Sequence, residues 1–461
     1  MPVNDLEKVV IDKPIIIPQG RNGTKYINKE IEIETQIFCE GSLVFENCII
    51  NYKPFENKKR IILKEGSDVK ILNCTVKGIT DGCGITASYI SSLSSGNNID
   101  EYELNEKISD TISFIEYENH YDKCNLEINN SYFTDCSCFA KVYKIAVNNS
   151  VFEYSTKEIA AKSLYAERES KSSITNCLIK FSDNDNNIEL GDYLNDYTDN
   201  FIGDDEVKDE FNKLSSEEET TKLILNIFND YVQKNNSGLS RNDLLFYLIS
   251  SCVKERIFNG FKQISYSTFN GVFSVIGEVT NVKSCDFINC TNLLSTGYDS
   301  ANIDDCVFVN CRQNLIKSNH NFSVNNCAIF NSRTRGTVGI YGPSLKNKGK
   351  IKNCTFDGLD VDSSFIESGN NGGFDGPNVT VENCTFKNCV ASNGVDIISK
   401  NKVSSSLFNW KEATAVSVHG CNGINTDYKT GKADSVPKEH KDRNGDIIGA
   451  KLDENKVGVP L

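Results

Sequence analysis

The stretch "VENCTFKNC", residues 381–389, decides the fold of this chain, because close copies of its first six residues recur along the sequence. Each copy has an apolar residue, any residue, a turn-prone residue, Cys or Ser, any residue, and then Phe, Ile or Val. Twelve stretches fit this phrase, and the turn-prone position is Asn in eight of them. The copies begin at Phe45, Ile71, Ile128, Val147, Ile174, Ile264, Val282, Ile303, Val324, Ile351, Val381 and Val403.

The spacing of the copies indicates a solenoid. In the C-terminal half it runs 18, 21, 21, 27, 30 and 22 residues, which is the period range of solenoid repeats. The copies are rich in Val, Ile, Phe, Asn, Ser and Gly with alternating polarity, which favours strands over leucine-rich repeats. We therefore predict a coil of parallel strands in which each turn lies about 4.8 Å from the one before. Asn is expected at the sharp corners because it tolerates a left-handed backbone, and Cys is expected beside it as a small buried hydrophobe.

With these corner Asn and buried Cys columns, the chain resembles the right-handed parallel β-helix repeat proteins of the pectate-lyase-like superfamily. The resemblance covers roughly residues 30–185 and 262–425. It implies an all-β fold, a right-handed parallel β-helix solenoid of about 12 or more rungs. It implies less about function, because the superfamily includes polysaccharide lyases and hydrolases, phage tailspikes, adhesins and binding scaffolds.

Departures from the regular spacing suggest the domain boundaries. The stretches "SSEEETTKLILNIFNDYVQKN" and "LSRNDLLFYLISSCVKERIF" have helical apolar stripes, and the first begins with a capping box. They predict an α-helical hairpin inserted into the coil. The 57-residue gap between Ile71 and Ile128 is long enough for one further rung and a polar loop. The predicted segments are an N-terminal cap (1–30), the first half of the β-helix (31–188), the α-helical insertion (189–261), the second half (262–426) and a polar C-terminal cap (427–461).

Composition restricts the environment and the partners. The net charge of -14 argues against nucleic acid, since binding to phosphates needs a basic face. The chain has 18 cysteines, and side chains that stack in parallel are poorly placed for disulfides, so we expect free thiols and a reducing compartment. No membrane span and no signal peptide is expected. These features predict a cytoplasmic protein, or one released by lysis as a phage-type component.

One strongly acidic run could serve as a docking site for a basic protein partner. Residues 199–219 contain nine acidic residues and two lysines. The alternative is a solvated loop and helix start. The candidate docking residues are Asp204, Asp205, Glu206, Asp209 and Glu210.

The candidate site comes from aligning the strands that follow each copy. An outward column should hold Ser295, Lys317, Tyr341, Glu367 and Ser399, with Arg333 and Arg335 upstream and His320 beyond. Lys317, Glu367 and Tyr341 are the catalytic candidates, because neighbouring Lys, Glu and Tyr side chains could bind an acidic sugar and move a proton. Arg333, Arg335 and His320 are candidate binding residues. The alternative is that these are ordinary polar residues of a solvent-facing strand. No cofactor and no metal site is predicted, since the loop at residues 233–244 lacks every carboxylate of a calcium-binding EF-hand.

Two functions are therefore expected from the sequence. The first is a non-catalytic recognition or scaffold protein, a rigid rod that binds a protein or polysaccharide partner as a single copy or as an oligomer. The second is a carbohydrate-active enzyme, a lyase or hydrolase acting on an acidic polysaccharide. The sequence favours the first, because local signatures of the second are not found in it.

Overall fold

The described part of the chain consists of strands and the turns between them. The computed structural model describes residues 6–20, 23–52, 60–78, 113–119, 122–136, 139–154, 163–167, 170–181, 258–272, 276–277, 279–290, 293–296, 300–311, 315–318, 320–334, 339–342, 347–361, 364–368, 379–391, 398, 402–403, 413–414, 416–425, 439–441 and 447–450. Three long parallel sheets, A, B and C, contain most of these residues. No helix capable of spanning a membrane is found among the described residues.

The strands of the three sheets follow one another in a fixed order along the chain. Sheet A consists of β1 (Glu7–Ile11), β4 (Lys29–Ile33), β7 (Ile49–Tyr52), β10 (Thr75–Gly78), β13 (Tyr132–Thr134), β16 (Val151–Tyr154), β19 (Leu178–Phe181), β22 (Thr268–Asn270), β25 (Asp286–Ile288), β28 (Val307–Val309), β31 (Ala328–Phe330), β35 (Thr355–Asp357), β39 (Thr385–Lys387) and β44 (Asn422–Ile424). Sheet B consists of β2 (Ile15–Ile17), β5 (Ile37–Cys39), β8 (Ile61–Leu63), β11 (Ile115–Tyr117), β14 (Ala140–Val142), β17 (Leu164–Ala166), β20 (Phe258–Asn259), β23 (Ile276–Gly277), β26 (Leu294–Thr296), β29 (Ile316–Ser318), β33 (Ile340–Gly342) and β37 (Ile366–Ser368). Sheet C consists of β3 (Thr24–Ile27), β6 (Ser42–Glu46), β9 (Asp68–Leu72), β12 (Asn125–Asn129), β15 (Lys144–Asn148), β18 (Ser173–Thr175), β21 (Gln263–Ser265), β24 (Asn281–Lys283), β27 (Ala301–Asp304), β30 (Phe322–Asn325), β34 (Gly349–Lys352), β38 (Val379–Glu382) and β43 (Val416–His419).

Three smaller sheets complete the described strands. Sheet D is short and parallel and consists of β32 (Arg333–Thr334), β36 (Asp360–Val361) and β40 (Val390–Ala391). One antiparallel pair consists of β41 (Lys402–Val403) and β42 (Ala413–Thr414). The other consists of β45 (Glu439–Lys441) and β46 (Ile447–Ala450). In the main coil the chain runs through sheets A, B and C and returns to A one turn further on. The predicted right-handed parallel β-helix is confirmed, with twelve to fourteen strands in each long sheet.

The repeated phrase sets the register of sheet C. The first residue of each copy from Phe45 to Val381 pairs directly with the first residue of the next copy. The copy predicted at Val403 is wrong, because Val403 pairs antiparallel with Ala413 outside the coil. Val418 is the residue that pairs with Val381. The phrase misses this rung because Gly423 stands where it requires Phe, Ile or Val.

The predicted extra rung between Ile71 and Ile128 is also absent. These two residues pair with each other, and so do Val76 and Phe133 in sheet A. The described strands of this interval, β10, β11 and the start of β12, therefore belong to a single turn of the coil. In the same way Ile174 pairs with Ile264, so the coil continues directly across the long interval between them.

The predicted helical insertion and both predicted caps are only partly described. Residues 182–257 lie outside the described residues, and Phe258–Asn259 is strand β20 of sheet B. Within residues 1–30, β1, β2 and β3 pair in parallel with the next turn of the coil. In the predicted C-terminal cap, β45 and β46 form an antiparallel pair across residues 442–446.

The corner between sheets C and A explains the Asn column. Asn47, Asn73 and the equivalent Asn residues have φ near +50°, for example 54° at Asn47 and 53° at Asn73. Asn is the residue besides Gly that enters this left-handed region most readily, which is why it was expected here. Gly420, with φ of 62°, takes the position in the last turn. The side chains also join neighbouring turns, since Asn176 Nδ2 donates to Asn149 Oδ1 at 2.7 Å.

The Cys and Ser column has a polar role that the sequence analysis missed. The Cys177 thiol donates to the Thr175 carbonyl at 3.2 Å, and the Cys177 backbone N–H donates to Ser267 Oγ of the next turn at 3.1 Å. Both Cys and Ser occur in this column because both can donate and accept in a small space. Burial raises the pKa of Cys177 to about 11, so the thiol keeps its proton for this bond at neutral pH. None of the fifteen described cysteines forms a disulfide.

A second column of corner residues, between sheet A and the next strand, has a gap that suggests a stabilising substitution. Asn310 Nδ2 donates to Asn289 Oδ1 at 3.3 Å. The next residue in the column, Asn331, is 2% exposed, and neither polar atom of its side chain has a hydrogen-bond partner among the described residues. Gly358 follows Asn331 in the column with φ of 71° and has no side chain to offer.

We expect Gly358→Asn to stabilise the fold by about 1 kcal/mol, because the new amide can donate to Asn331 Oδ1 as other corner Asn residues do. The left-handed backbone at this position already suits Asn. Gly358→Ala is the matched control, since it adds a side chain at positive φ without an amide and should destabilise. Urea denaturation followed by circular dichroism measures both effects. A Gly358→Asn variant no more stable than Gly358→Ala would contradict the predicted hydrogen bond.

Candidate functional site

Sheet B borders all the long connections of the coil. Every described turn from sheet C to sheet A uses one or two residues, such as Asn73 and Cys74. The connections that enter or leave sheet B vary widely, and the longest span residues 79–114 and 182–257 between sheets A and B. Insertions in a solenoid concentrate around its binding face. The outer face of sheet B is therefore the candidate functional surface.

The register of sheet B places its outward residues in one column. Starting at β11, each residue pairs with the next, and strand spacing puts neighbours about 4.8 Å apart. The column contains Glu116, Lys141, Tyr165, Asn259, Gly277, Ser295, Lys317, Tyr341 and Glu367. We call this set the sheet B column.

The three catalytic candidates lie together at the C-terminal end of the sheet B column. Lys317 is exposed, and Tyr341 and Glu367 are half-buried. Lys317 pairs with Tyr341, and Tyr341 pairs with Glu367, so the three occupy successive turns. Burial raises the pKa of the Glu367 carboxyl above its usual value. A carboxyl with a raised pKa is a better proton donor near neutral pH than an exposed one.

The other candidate residues are not part of this column. His320 lies just after β29, where Ser318 Oγ donates to its carbonyl at 2.9 Å. Arg333 lies on sheet D, where its backbone pairs with Asp360. The candidates outside the described residues are Arg335, Ser399 and the five acidic docking residues Asp204, Asp205, Glu206, Asp209 and Glu210.

A second cluster at the N-terminal end of the sheet B column was missed by the sequence analysis. The Lys141 ammonium lies 5.6 Å from the centre of the Tyr117 ring and 5.9 Å from the centre of the Tyr165 ring. Both distances are within the range of cation–π attraction. The Tyr117 hydroxyl donates to Glu167 Oε1 at 2.9 Å, and the pKa of Tyr117 is raised, chiefly by burial and then by the Glu167 charge. The Tyr117 side chain is therefore contacted by Lys141 at its ring and by Glu167 at its hydroxyl.

Glu116 in the same cluster is engaged by an arginine. Arg60 Nη1 lies 3.1 Å from Glu116 Oε2, with side chains 23% and 17% exposed. Burial raises the pKa of Glu116, while Lys141 and Arg60 act to lower it. The carboxylate thus has a close cation of its own in addition to the Lys141 charge.

A signal for this cluster was present in the sequence. The stretches "FIEYE" (114–118), "FAKVY" (139–143) and "SLYAE" (163–167) align in the same way as the strands that contain Lys317 and Glu367. The outward column predicted for the C-terminal half therefore extends into these stretches. Among the described residues, no group of three His, Cys, Asp or Glu side chains is placed to hold a metal ion.

Comparison with known proteins adds structural similarity at low sequence identity. No protein-family model matches the chain, and no curated protein matches it in sequence. Among solved structures, a periplasmic alginate epimerase is 11% identical with a TM-score of 0.27 and coverage of 90% of this chain and 78% of its own. An alginate lyase in complex with a trisaccharide is 10% identical with a TM-score of 0.29 and coverage of 96% and 86%. A polygalacturonase from Erwinia carotovora is 10% identical with a TM-score of 0.25 and coverage of 94% and 98%. At these scores the function has to be argued from the residues of this chain itself.

Proposed function

We propose that the protein is a carbohydrate-active enzyme that cleaves a linear acidic polysaccharide along the outer face of sheet B. The observation that carries this proposal is the alignment of Lys317, Tyr341 and Glu367 on successive turns, with Glu367 half-buried and raised in pKa. A straight column with a fixed repeat suits a linear polymer, which can present a similar group to each turn. This proposal replaces the recognition protein that the sequence favoured.

Each of the three side chains has a distinct role in this proposal. The exposed ammonium of Lys317 binds a sugar carboxylate through a charge-assisted hydrogen bond. The Tyr341 ring offers an apolar face with a polar tip, which suits the face of a sugar ring. Glu367 acts as the general acid, because its raised pKa keeps a larger fraction of the carboxyl protonated near neutral pH.

The proton from Glu367 goes to the oxygen that leaves as the glycosidic bond breaks. In hydrolysis, water adds to the anomeric carbon as the bond to the leaving oxygen breaks, and the proton of that water passes to bulk water. In elimination, the proton next to the sugar carboxylate passes to bulk water, and a carbon–carbon double bond forms as the bond to the leaving oxygen breaks. In both routes the Glu367 carboxylate regains its proton from bulk water. The two routes share the general acid and differ in their products, so the products identify the route.

The overall charge of -14 does not describe the sheet B column. Its two lysines, Lys141 and Lys317, have no ion-pair partner within 4 Å among the described residues. Both glutamates of the column have raised pKa values caused mainly by burial, and Glu116 is in addition paired with Arg60. The column is therefore a suitable surface for a polyanion on an acidic protein.

The test is a panel of purified polymers, with alginate and polygalacturonate as acidic substrates and a neutral glucan as control. We expect at least one acidic polymer to be cleaved, seen as new ultraviolet absorbance from unsaturated sugars after elimination or as new reducing ends after hydrolysis. Lys317→Ala should raise the KM, because it removes the carboxylate partner. Lys283→Ala, an exposed lysine on sheet C, is the matched control and should behave like the unmodified protein.

The panel also distinguishes the alternative function. A polymer that binds but is not cleaved would support a non-catalytic recognition protein. Absence of both binding and cleavage for all acidic polymers would contradict the proposal. Equal losses in Lys317→Ala and Lys283→Ala would indicate a general charge effect rather than a site on sheet B.

A further inference from the structure

We infer that the Lys141 cluster is a second, non-catalytic subsite for the same polyanion, and that the protein therefore selects long chains over short oligomers. This inference rests on the proposed function. It goes beyond that function because it assigns a role to Lys141, Tyr117 and Tyr165 and predicts how affinity depends on ligand length. The geometry of the sheet B column and the charges around Lys141 support it.

Lys141 and Lys317 lie on one continuous line of paired residues. Five strand-to-strand steps separate them, which corresponds to about 24 Å at the usual spacing of neighbouring strands. The intermediate positions after Tyr165 are Asn259, Gly277 and Ser295, none of which is a large residue. A linear ligand lying along this line would contact Lys141 and Tyr165 at one end and Lys317 and Tyr341 at the other. The residues between these two pairs are small.

Lys141 has no ion-pair partner within 4 Å among the described residues. Its acidic neighbour in the column, Glu116, is paired with Arg60 at 3.1 Å and is also acted on by the Lys141 charge. Glu167 accepts the hydrogen bond from the Tyr117 hydroxyl at 2.9 Å. The Tyr117 and Tyr165 rings attract the ammonium at 5.6 and 5.9 Å without neutralising it. The cluster thus holds a positioned cation that can bind a carboxylate.

The two lysine subsites also have different surroundings. Next to Lys317, the column continues through Tyr341 to the half-buried carboxyl of Glu367. Next to Lys141, the carboxyl of Glu116 is held by Arg60 and is not available as a free proton donor. Chemistry is therefore assigned to the C-terminal cluster and anchoring to the Lys141 cluster. A ligand that reaches both subsites binds the second one intramolecularly, which can raise affinity by about 10²-fold or more.

The experiment measures affinity against ligand length by fluorescence anisotropy, using end-labelled alginate and galacturonate oligomers from dimers to chains longer than the ~24 Å between the lysines. For the unmodified protein we expect the Kd to fall by about 10²-fold once the oligomer can reach both subsites. Lys141→Gln should abolish this fall, so that the Kd for long chains stays close to the Kd for the dimer. Lys141→Ala should give the same result, which would show that the effect comes from the loss of the ammonium and not from the amide introduced by Lys141→Gln.

Lys144→Ala is the matched control, since Lys144 is exposed three residues away in the same turn but on sheet C. It should retain the dependence on length. A length dependence that persists in both Lys141 variants would overturn the second subsite but would not affect the proposed cleavage next to Glu367. Failure of the unmodified protein to bind any oligomer would instead overturn the proposed function, and the second subsite with it. Thermal unfolding of each variant confirms that the coil is intact.

Discussion

Replacing Phe287 with alanine should lower the free energy of unfolding by about 3–5 kcal/mol, the range for large aromatic residues removed from a close-packed core. Phe287 is fully buried, and its ring stacks between those of Phe269 and Phe308 on the neighbouring turns, with ring centres 5.0 Å apart on both sides. Truncation removes two stacking contacts and leaves a cavity that the strands cannot close, because their spacing is set by backbone hydrogen bonds.

Urea denaturation followed by circular dichroism measures the loss from Phe287→Ala. Ile16→Ala is the control for apolar truncation, because Ile16 is 65% exposed and exposed substitutions usually stay within about 0.5 kcal/mol. In a solenoid each turn contacts only its neighbours, so the weakened turn should also broaden the transition. A loss below about 1 kcal/mol would mean that the aromatic column is not a close-packed core.

The corner chemistry explains why the fold could be predicted from sequence. Asn at a left-handed corner and Cys or Ser beside it are local requirements of each turn, so they appear as letters at a regular interval. The residues from Phe45 to Val381 that begin the copies are for this reason paired as predicted. The phrase missed the turn at Val418, which has Gly420 and Gly423 in place of the usual residues, and it matched Val403 outside the coil instead. Near an end of the coil the local requirements are relaxed, and the sequence signal weakens with them.

The candidate site could be predicted only in part, because it depends on contacts between side chains. The strand alignment was sufficient to name Lys317, Tyr341 and Glu367, which occupy successive turns in the structure. It could not show that Glu367 is half-buried, because burial depends on neighbouring connections as well as on the strand. Nor could it show that Lys141 lies between two tyrosine rings, because those contacts depend on how each side chain turns.

Replacing Glu367 should have the second large effect, a loss of catalytic activity. Glu367→Gln should reduce turnover of the acidic polymer by about 10²–10⁴-fold, the usual contribution of a general acid. The same change should make the protein more stable at neutral pH. Glutamine has nearly the same shape and no charge, so it avoids the penalty of burying a carboxylate.

The pH dependence of this stability gain follows from the direction of the pKa shift. Because burial raises the pKa of Glu367 in the folded protein, the fold binds a proton that the unfolded chain releases over the intervening pH range. The contribution of Glu367 to stability is therefore fully present below the unfolded pKa, and it is lost as the pH rises through the raised folded pKa. We expect Glu367→Gln and the unmodified protein to differ little at pH about 4 and the variant to be more stable at pH about 7.

Glu382→Gln is the control that separates a catalytic carboxyl from an ordinary one. Glu382 lies on sheet C in the next strand of the coil and forms an ion pair with Lys350 at 3.1 Å, so its loss should neither stabilise the protein nor reduce turnover. Urea denaturation at both pH values and initial rates on the cleaved polymer give the two measurements. Residues kept at a cost to stability are characteristic of functional sites, since they are retained for what they do rather than for the fold. If Glu367→Gln keeps full turnover while gaining stability, Glu367 is not the proton donor, and the catalytic assignment of the sheet B column fails.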